Sequence, residues 1–181
     1  GVSANNVMSG NIVIGTVTGL ALGTYNASMS SGPCVHNGNY FLNNVVINSS
    51  SYNAYTADNC TYSGASGFFN NILYCNGEAG CTSANTITQT KTNLTWNYNL
   101  IYGGTIDTDS DNGAGTVLGS VPGLVRQTNL AQAQIAQNSL TGQEFALLTT
   151  SAAKNTGTNL SSYLGYAGTL NLNASNFLTG T

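Results

Sequence analysis

Apolar positions along this chain fall into a pattern that repeats. Four segments align without gaps: VMSGNIVIG (7–15), YFLNNVVIN (40–48), GFFNNILYC (67–75) and TWNYNLIYG (95–103). Each carries a central asparagine: Asn11, Asn44, Asn71 or Asn99. Three residues before this anchor stand Met8, Phe41, Phe68 and Trp96. One residue after it stand Ile12, Val45, Ile72 and Leu100, and three after it Ile14, Ile47, Tyr74 and Tyr102. Alternation of the +1 and +3 positions with their neighbours is strand periodicity. The anchors are separated by 33, 27 and 28 positions (11 to 44, 44 to 71, 71 to 99). A period of this length fits one coil of a parallel β-solenoid, in which three short strands and their turns stack on the next coil about 4.8 Å away.

The repeat predicts an all-β chain of about five or six coils over residues 1–119. Residues 120–181 are read as a less regular terminal coil and C-terminal capping segment of the same domain. Like residues then lie on like residues. The four anchor asparagines are expected to form a ladder of amide hydrogen bonds, and to adopt the left-handed conformation that the corner between strands needs. Ile12, Val45, Ile72 and Leu100 are expected inside, and Phe41, Phe68 and Trp96 are expected to form an internal stack. A β-sandwich with chance similarity among its strands is the competing reading.

Composition narrows the function. Of 181 residues, 41% are apolar, so the chain can bury a core. Only 5% are charged, against about 25% in ordinary globular chains. Lys91, Arg126 and Lys154 are too few for a nucleic-acid footprint or an anionic membrane surface. The longest apolar run, Ile12 to Leu22, is too short and too broken by Gly and Thr to span a membrane. The chain opens at Gly1 without Met or a signal peptide, and the first rung begins at Val7, so it reads as a processed product with no visible N-terminal cap. Six N-x-S/T sequons occur, a number that chance supplies in a chain this rich in Asn, Ser and Thr.

Four cysteines, Cys34, Cys60, Cys75 and Cys81, suggest two disulfides and an oxidising compartment, with free buried thiols or a zinc site as the alternatives. Cys34 lies ten residues before Asn44 and Cys60 eleven before Asn71, so stacking puts them one layer apart, within disulfide reach. Cys75 and Cys81 are left to close a short loop.

The N-x-x-x-G-N-I-V-I type of rung resembles the pectate-lyase-like right-handed parallel β-helix superfamily. SVPGLV (120–125) followed by GQEFALLTTSAAKNTGTNL (142–160) is similar to the terminal portion of such chains, with Phe145, Leu147, Ser151, Ala153, Asn155 and Gly157 at matching positions. Ala152 stands where a proline is usual, Lys154 where an apolar residue is usual, and the closing segment differs. The resemblance implies a right-handed parallel β-helix. It implies no single activity, because this scaffold carries lyases, hydrolases, epimerases, spikes and adhesins.

Candidate chemistry is sparse. In DTDSDNG, Asp107, Asp109 and Asp111 stand at every second position, like the first ligands of a calcium loop. Gly113 falls one place late and Leu118 occupies the place of the closing glutamate, so a solvated acidic turn competes with a calcium site. His36, Lys91, Arg126 and Lys154 share no anchor-relative position and make no catalytic stripe, and Asp58, Glu78 and Glu144 are scattered. His36 is read as a surface or turn residue rather than a base. Tyr52, Tyr55 and Tyr62, outside the anchored strands, are candidates for sugar stacking. The expected function is a secreted or cell-surface structural or adhesive solenoid, part of a filament or spike, that self-associates end to end or edge to edge. A carbohydrate-active domain, lyase or hydrolase, or the non-catalytic end of one, is the alternative.

Overall fold

A computed structural model describes residues 2–23, 34–56, 60–78, 81, 85–87, 92–106, 113–126 and 143–160. Over these residues the chain is all-β, with four parallel sheets and almost no helix. Each of the first three passes contributes one short strand to each sheet in turn. The first pass supplies β1 (Val2–Ala4), β2 (Val7–Ser9), β3 (Ile12–Ile14) and β4 (Thr18–Leu22). The second supplies β5 (Cys34–Asn37), β6 (Tyr40–Leu42), β7 (Val45–Ile47) and β8 (Tyr52–Thr56). The third supplies β9 (Cys60–Tyr62), β10 (Ser66–Phe69), β11 (Ile72–Tyr74) and β12 (Asn85–Ile87). Then follow β13 (Leu94–Asn97), β14 (Leu100–Tyr102) and β15 (Thr105–Ile106), and lastly β16 (Val117–Leu118). The sheets are ordered β1-β5-β9, β2-β6-β10-β13, β3-β7-β11-β14-β16 and β4-β8-β12-β15, every pairing parallel.

The register keeps like positions together. Phe68 lies opposite both Phe41 and Trp96, and Ile72 opposite both Val45 and Leu100. Leu100 opposite Val117 puts Thr116 next in the anchor column, only 17 positions after Asn99. The Phe41 and Phe68 rings stack at 4.8 Å and those of Phe68 and Trp96 at 3.8 Å, so the internal aromatic column is present.

The inward and outward faces differ from the expected ones at a specific point. All four sheets contribute to one enclosed core, and from the post-anchor strands it is Val46, Leu73 and Ile101, two residues after each anchor, that enter it. Ile72 and Leu100 are buried on the opposite face of their sheet, Val45 is partly buried there, and Ile12 is 45% exposed. The cause is the corner. In an uninterrupted strand the −3, +1 and +3 positions would share a face. Here the residue before each anchor (Gly10, Asn43, Asn70 or Tyr98) has φ between 55 and 67°, and the turn it makes shifts the alternation by one. The left-handed residue is therefore this neighbour rather than the anchor itself.

The outer face that carries Ile72 and Leu100 is covered by the C-terminal segment. Residues 123–126 and 144–148 pair antiparallel through the Leu124–Leu147 bridge, with a short 3-10 turn at Gln143–Phe145. Leu124, Phe145 and Ala153 pack on Ile47, Ile72, Tyr74 and Leu100. Farther on, Leu160 packs on Leu42 and Phe69, and Thr158 exchanges two 2.9 Å hydrogen bonds with the Asn70 side chain. The described part of this segment thus lies along the side of the stacked passes.

Candidate functional site

The anchors form a continuous, directional ladder. The backbone N–H and Nδ2 of Asn11 both donate to Asn44 Oδ1 at 3.0 Å. Asn44 donates in the same way to Asn71 Oδ1, and Asn71 to Asn99 Oδ1, at 2.9–3.0 Å. The second Nδ2 hydrogen reaches back to the previous pass: Asn44 to the Met8 carbonyl, Asn71 to that of Phe41, and Asn99 to that of Phe68. Three of the amides are buried, and each meets nearly its full hydrogen-bonding capacity, as buried polar groups require.

A second ladder runs five residues earlier, and the pattern of apolar positions did not single it out. Asn6 donates from its backbone N–H and Nδ2 to Asn39 Oδ1, and the Asn39 backbone N–H donates to Ser66 Oγ. Its signal is the spacing of Asn6 from Asn11 and Asn39 from Asn44, both N-x-x-x-x-N. The column ends at Leu94, which has no polar group to continue it.

Because each rung donates to the rung after it, the first rung is left with acceptors. Asn6 Oδ1 and Asn11 Oδ1 receive no hydrogen bond among the described residues, and both side chains are exposed. Among the described residues, β1, β2, β3 and β4 are each the outermost strand of their sheet on this side. Met8 at 48%, Ile12 at 45% and Val17 at 62% exposure stand along that edge. A cavity of about 740 Å³ opens between the first two passes, lined by Met8, Leu22, Cys34, His36, Asn39 and Phe41 among others. No Asp, Glu, Lys or Arg occurs before Asp58. The edge therefore lacks the charges by which exposed strands ordinarily resist pairing.

The remaining candidate residues are dispersed. Both disulfides inferred from the spacing are present: Cys34–Cys60, joining the facing ends of β5 and β9 at a Cα separation of 4.6 Å, and Cys75–Cys81. His36 is buried rather than on the surface, because it alternates with Val35 on β5 and so points into the core, where its ring stacks on Tyr62 at 5.3 Å. Burial holds its pKa below the ordinary histidine value. Tyr62 is likewise removed from any sugar-stacking role. It is 5% exposed, its hydroxyl donates to the Leu22 carbonyl, and burial drives its pKa well above the usual phenol range. Tyr52 and Tyr55 are half-buried, with ring centroids 5.0 Å apart on β8. Asp107, Asp109 and Asp111 lie outside the described residues.

A second cleft opens where the Tyr74 and Tyr102 rings lie 5.6 Å apart, tilted by 41°, beside Asn76, Glu78 and Gly103. Burial first, then the neighbouring Tyr102, raise the Tyr74 pKa. Among the described residues no helix is long and apolar enough to cross a membrane. No family model, no curated protein and no solved structure matches this chain.

Proposed function

We propose that this chain is a right-handed parallel β-helix of the pectate-lyase-like kind, secreted or displayed at a cell surface, that serves as a structural or adhesive unit by stacking end to end on a second copy of itself. The observation that carries the reading is the first pass: four strands each paired on one side among the described residues, two ladder asparagines whose acceptor oxygens receive no hydrogen bond there, exposed Met8, Ile12 and Val17, and no charged residue before Asp58. A strand-bearing end of another copy supplies the matching donors. Polarity of the ladder sets the orientation, because a preceding rung would donate to Asn11 where each internal rung donates to the next. Disulfides are compatible with the extracellular setting.

The test is sedimentation velocity on the full chain, with Met8→Lys/Ile12→Lys as the comparison, since charge at an edge blocks pairing. The weight-average mass of the unmodified chain should rise with concentration, and the variant should remain monomeric. A stable monomer at every concentration, or equal association by the variant, overturns the reading.

A second reading, polysaccharide binding, is supported by the cleft at Tyr74, Tyr102 and Glu78, where aromatic rings adjoin a carboxylate and the Asn76 amide. Its test is affinity electrophoresis in gels containing neutral and uronate polysaccharides, with Tyr102→Ala expected to abolish any retardation.

A further inference from the structure

One trio of metal-ligating side chains comes together among the described residues. The ligating atoms of Cys34, His36 and Cys60 all lie within 4.8 Å of one another, and all three residues are buried. Cys34 and His36 are two apart on β5 and so share its inner face, while Cys60 faces Cys34 in register from β9. His36 Nε2 stands 3.5 Å from Cys34 Sγ. In the oxidised chain the two sulfurs are bonded to each other and have no thiolate to offer.

We propose that reduction of the Cys34–Cys60 disulfide creates a Cys-Cys-His site for one zinc-class cation, with its fourth position open to the cavity beside β1 and β2. Three converging soft and borderline ligands with a vacant fourth direction are the donor set of an open tetrahedral zinc centre. The cavity is lined by Cys34, His36 and Asn39, so water reaches that fourth position.

The other ring nitrogen shows what metal binding must rearrange. His36 Nδ1 lies 3.2 Å from Asn39 Nδ2, while Asn39 Oδ1 accepts from Asn6. A metal on Nε2 leaves the proton on Nδ1, so the Asn39 amide must turn its oxygen toward the ring, releasing both Asn6 and the Ser3 carbonyl.

The redox step is balanced by a phosphine reductant. The phosphine takes the oxygen of one water and becomes its oxide, the S–S bond breaks, and the two hydrogens of that water end on the two sulfurs. Zinc or cobalt then displaces the two thiol protons.

The experiment treats the full chain with a water-soluble phosphine, removes it without oxygen, and titrates cobalt(II) followed by zinc(II). A Cys75→Ser/Cys81→Ser variant keeps the other sulfurs out of the count. The expected result is one cobalt per chain, with sulfur-to-cobalt charge transfer and tetrahedral d–d bands, displaced by zinc and absent from the oxidised protein. His36→Gln should weaken binding by roughly tenfold or more, since even outer-shell changes at such sites cost about 10–100-fold. If the reduced chain loses structure, restoration of the β circular-dichroism signal by zinc, in wild type but not in His36→Gln, supports the site equally. Absence of charge transfer in the reduced chain, or equal affinity in His36→Gln, overturns it.

Discussion

Replacing Asn71 by alanine removes the middle rung of the anchor ladder at a position only 1% exposed. Its Oδ1 accepts from both the backbone N–H and Nδ2 of Asn44, and its Nδ2 donates to Asn99 Oδ1 and to the Phe41 carbonyl. After truncation Asn44 Nδ2 keeps the Met8 carbonyl and Asn99 Oδ1 keeps the Asn71 backbone N–H. The buried Asn44 backbone N–H loses its acceptor. One orphaned buried donor costs about 1–3 kcal/mol and each of the three further lost bonds about 1, so the total is roughly 4–6 kcal/mol. Asn11→Ala is the control, because Asn11 is exposed and Asn44 Oδ1 keeps the Asn11 backbone donor. Its cost should be about 1 kcal/mol or less. Urea unfolding followed by circular dichroism measures both. If the two variants fall within about 0.5 kcal/mol of each other, the ladder is not a buried stabilising element and the reasoning fails.

Leu73→Ala, in the shared core at 0% exposure, should cost roughly 2–5 kcal/mol by the same urea assay, and Ile12→Ala, half-exposed at the edge, below about 0.5. Gly103→Ala should destabilise measurably, because φ is +67° and a Cβ there would strike the Cys75 carbonyl oxygen. His36, the sole histidine, is harder to protonate folded than unfolded. Its contribution to stability is therefore whole above pH 6.5 and declines as the pH falls from 6.5 toward its lower folded value. His36→Phe should flatten that part of the stability–pH curve. Calcium is expected to bind weakly at Asp107, Asp109 and Asp111; titration calorimetry showing no heat with millimolar calcium removes that site.

Much of the architecture was legible because stacking forces equivalence. Residues one pass apart share an environment, so the anchor asparagines and the Phe41–Phe68–Trp96 column stood out as columns in the sequence, and the Cys34–Cys60 pairing followed from the same offsets. What misled was local backbone geometry. The parity of a strand can be carried along a sequence only while the backbone stays extended, and a single left-handed residue before each anchor reversed the face of Ile72 and Leu100. His36 and Tyr62 were hidden for a related reason. They lie on short strands whose inward face shows only once Cys34 and Cys60 are known to point into the core. The second ladder escaped notice because its column mixes Asn6 and Asn39 with Ser66 and ends at Leu94.

The location of the pairing edge is tested most directly by hydrogen–deuterium exchange read by mass spectrometry on dilute and concentrated samples of the full chain. Association through the first-pass edge predicts added protection in peptides covering 7–22 as concentration rises, with the 40–47 and 67–74 peptides unchanged because their strands are already paired on both sides. Association with no added protection across 7–22 would contradict end-to-end stacking at this edge.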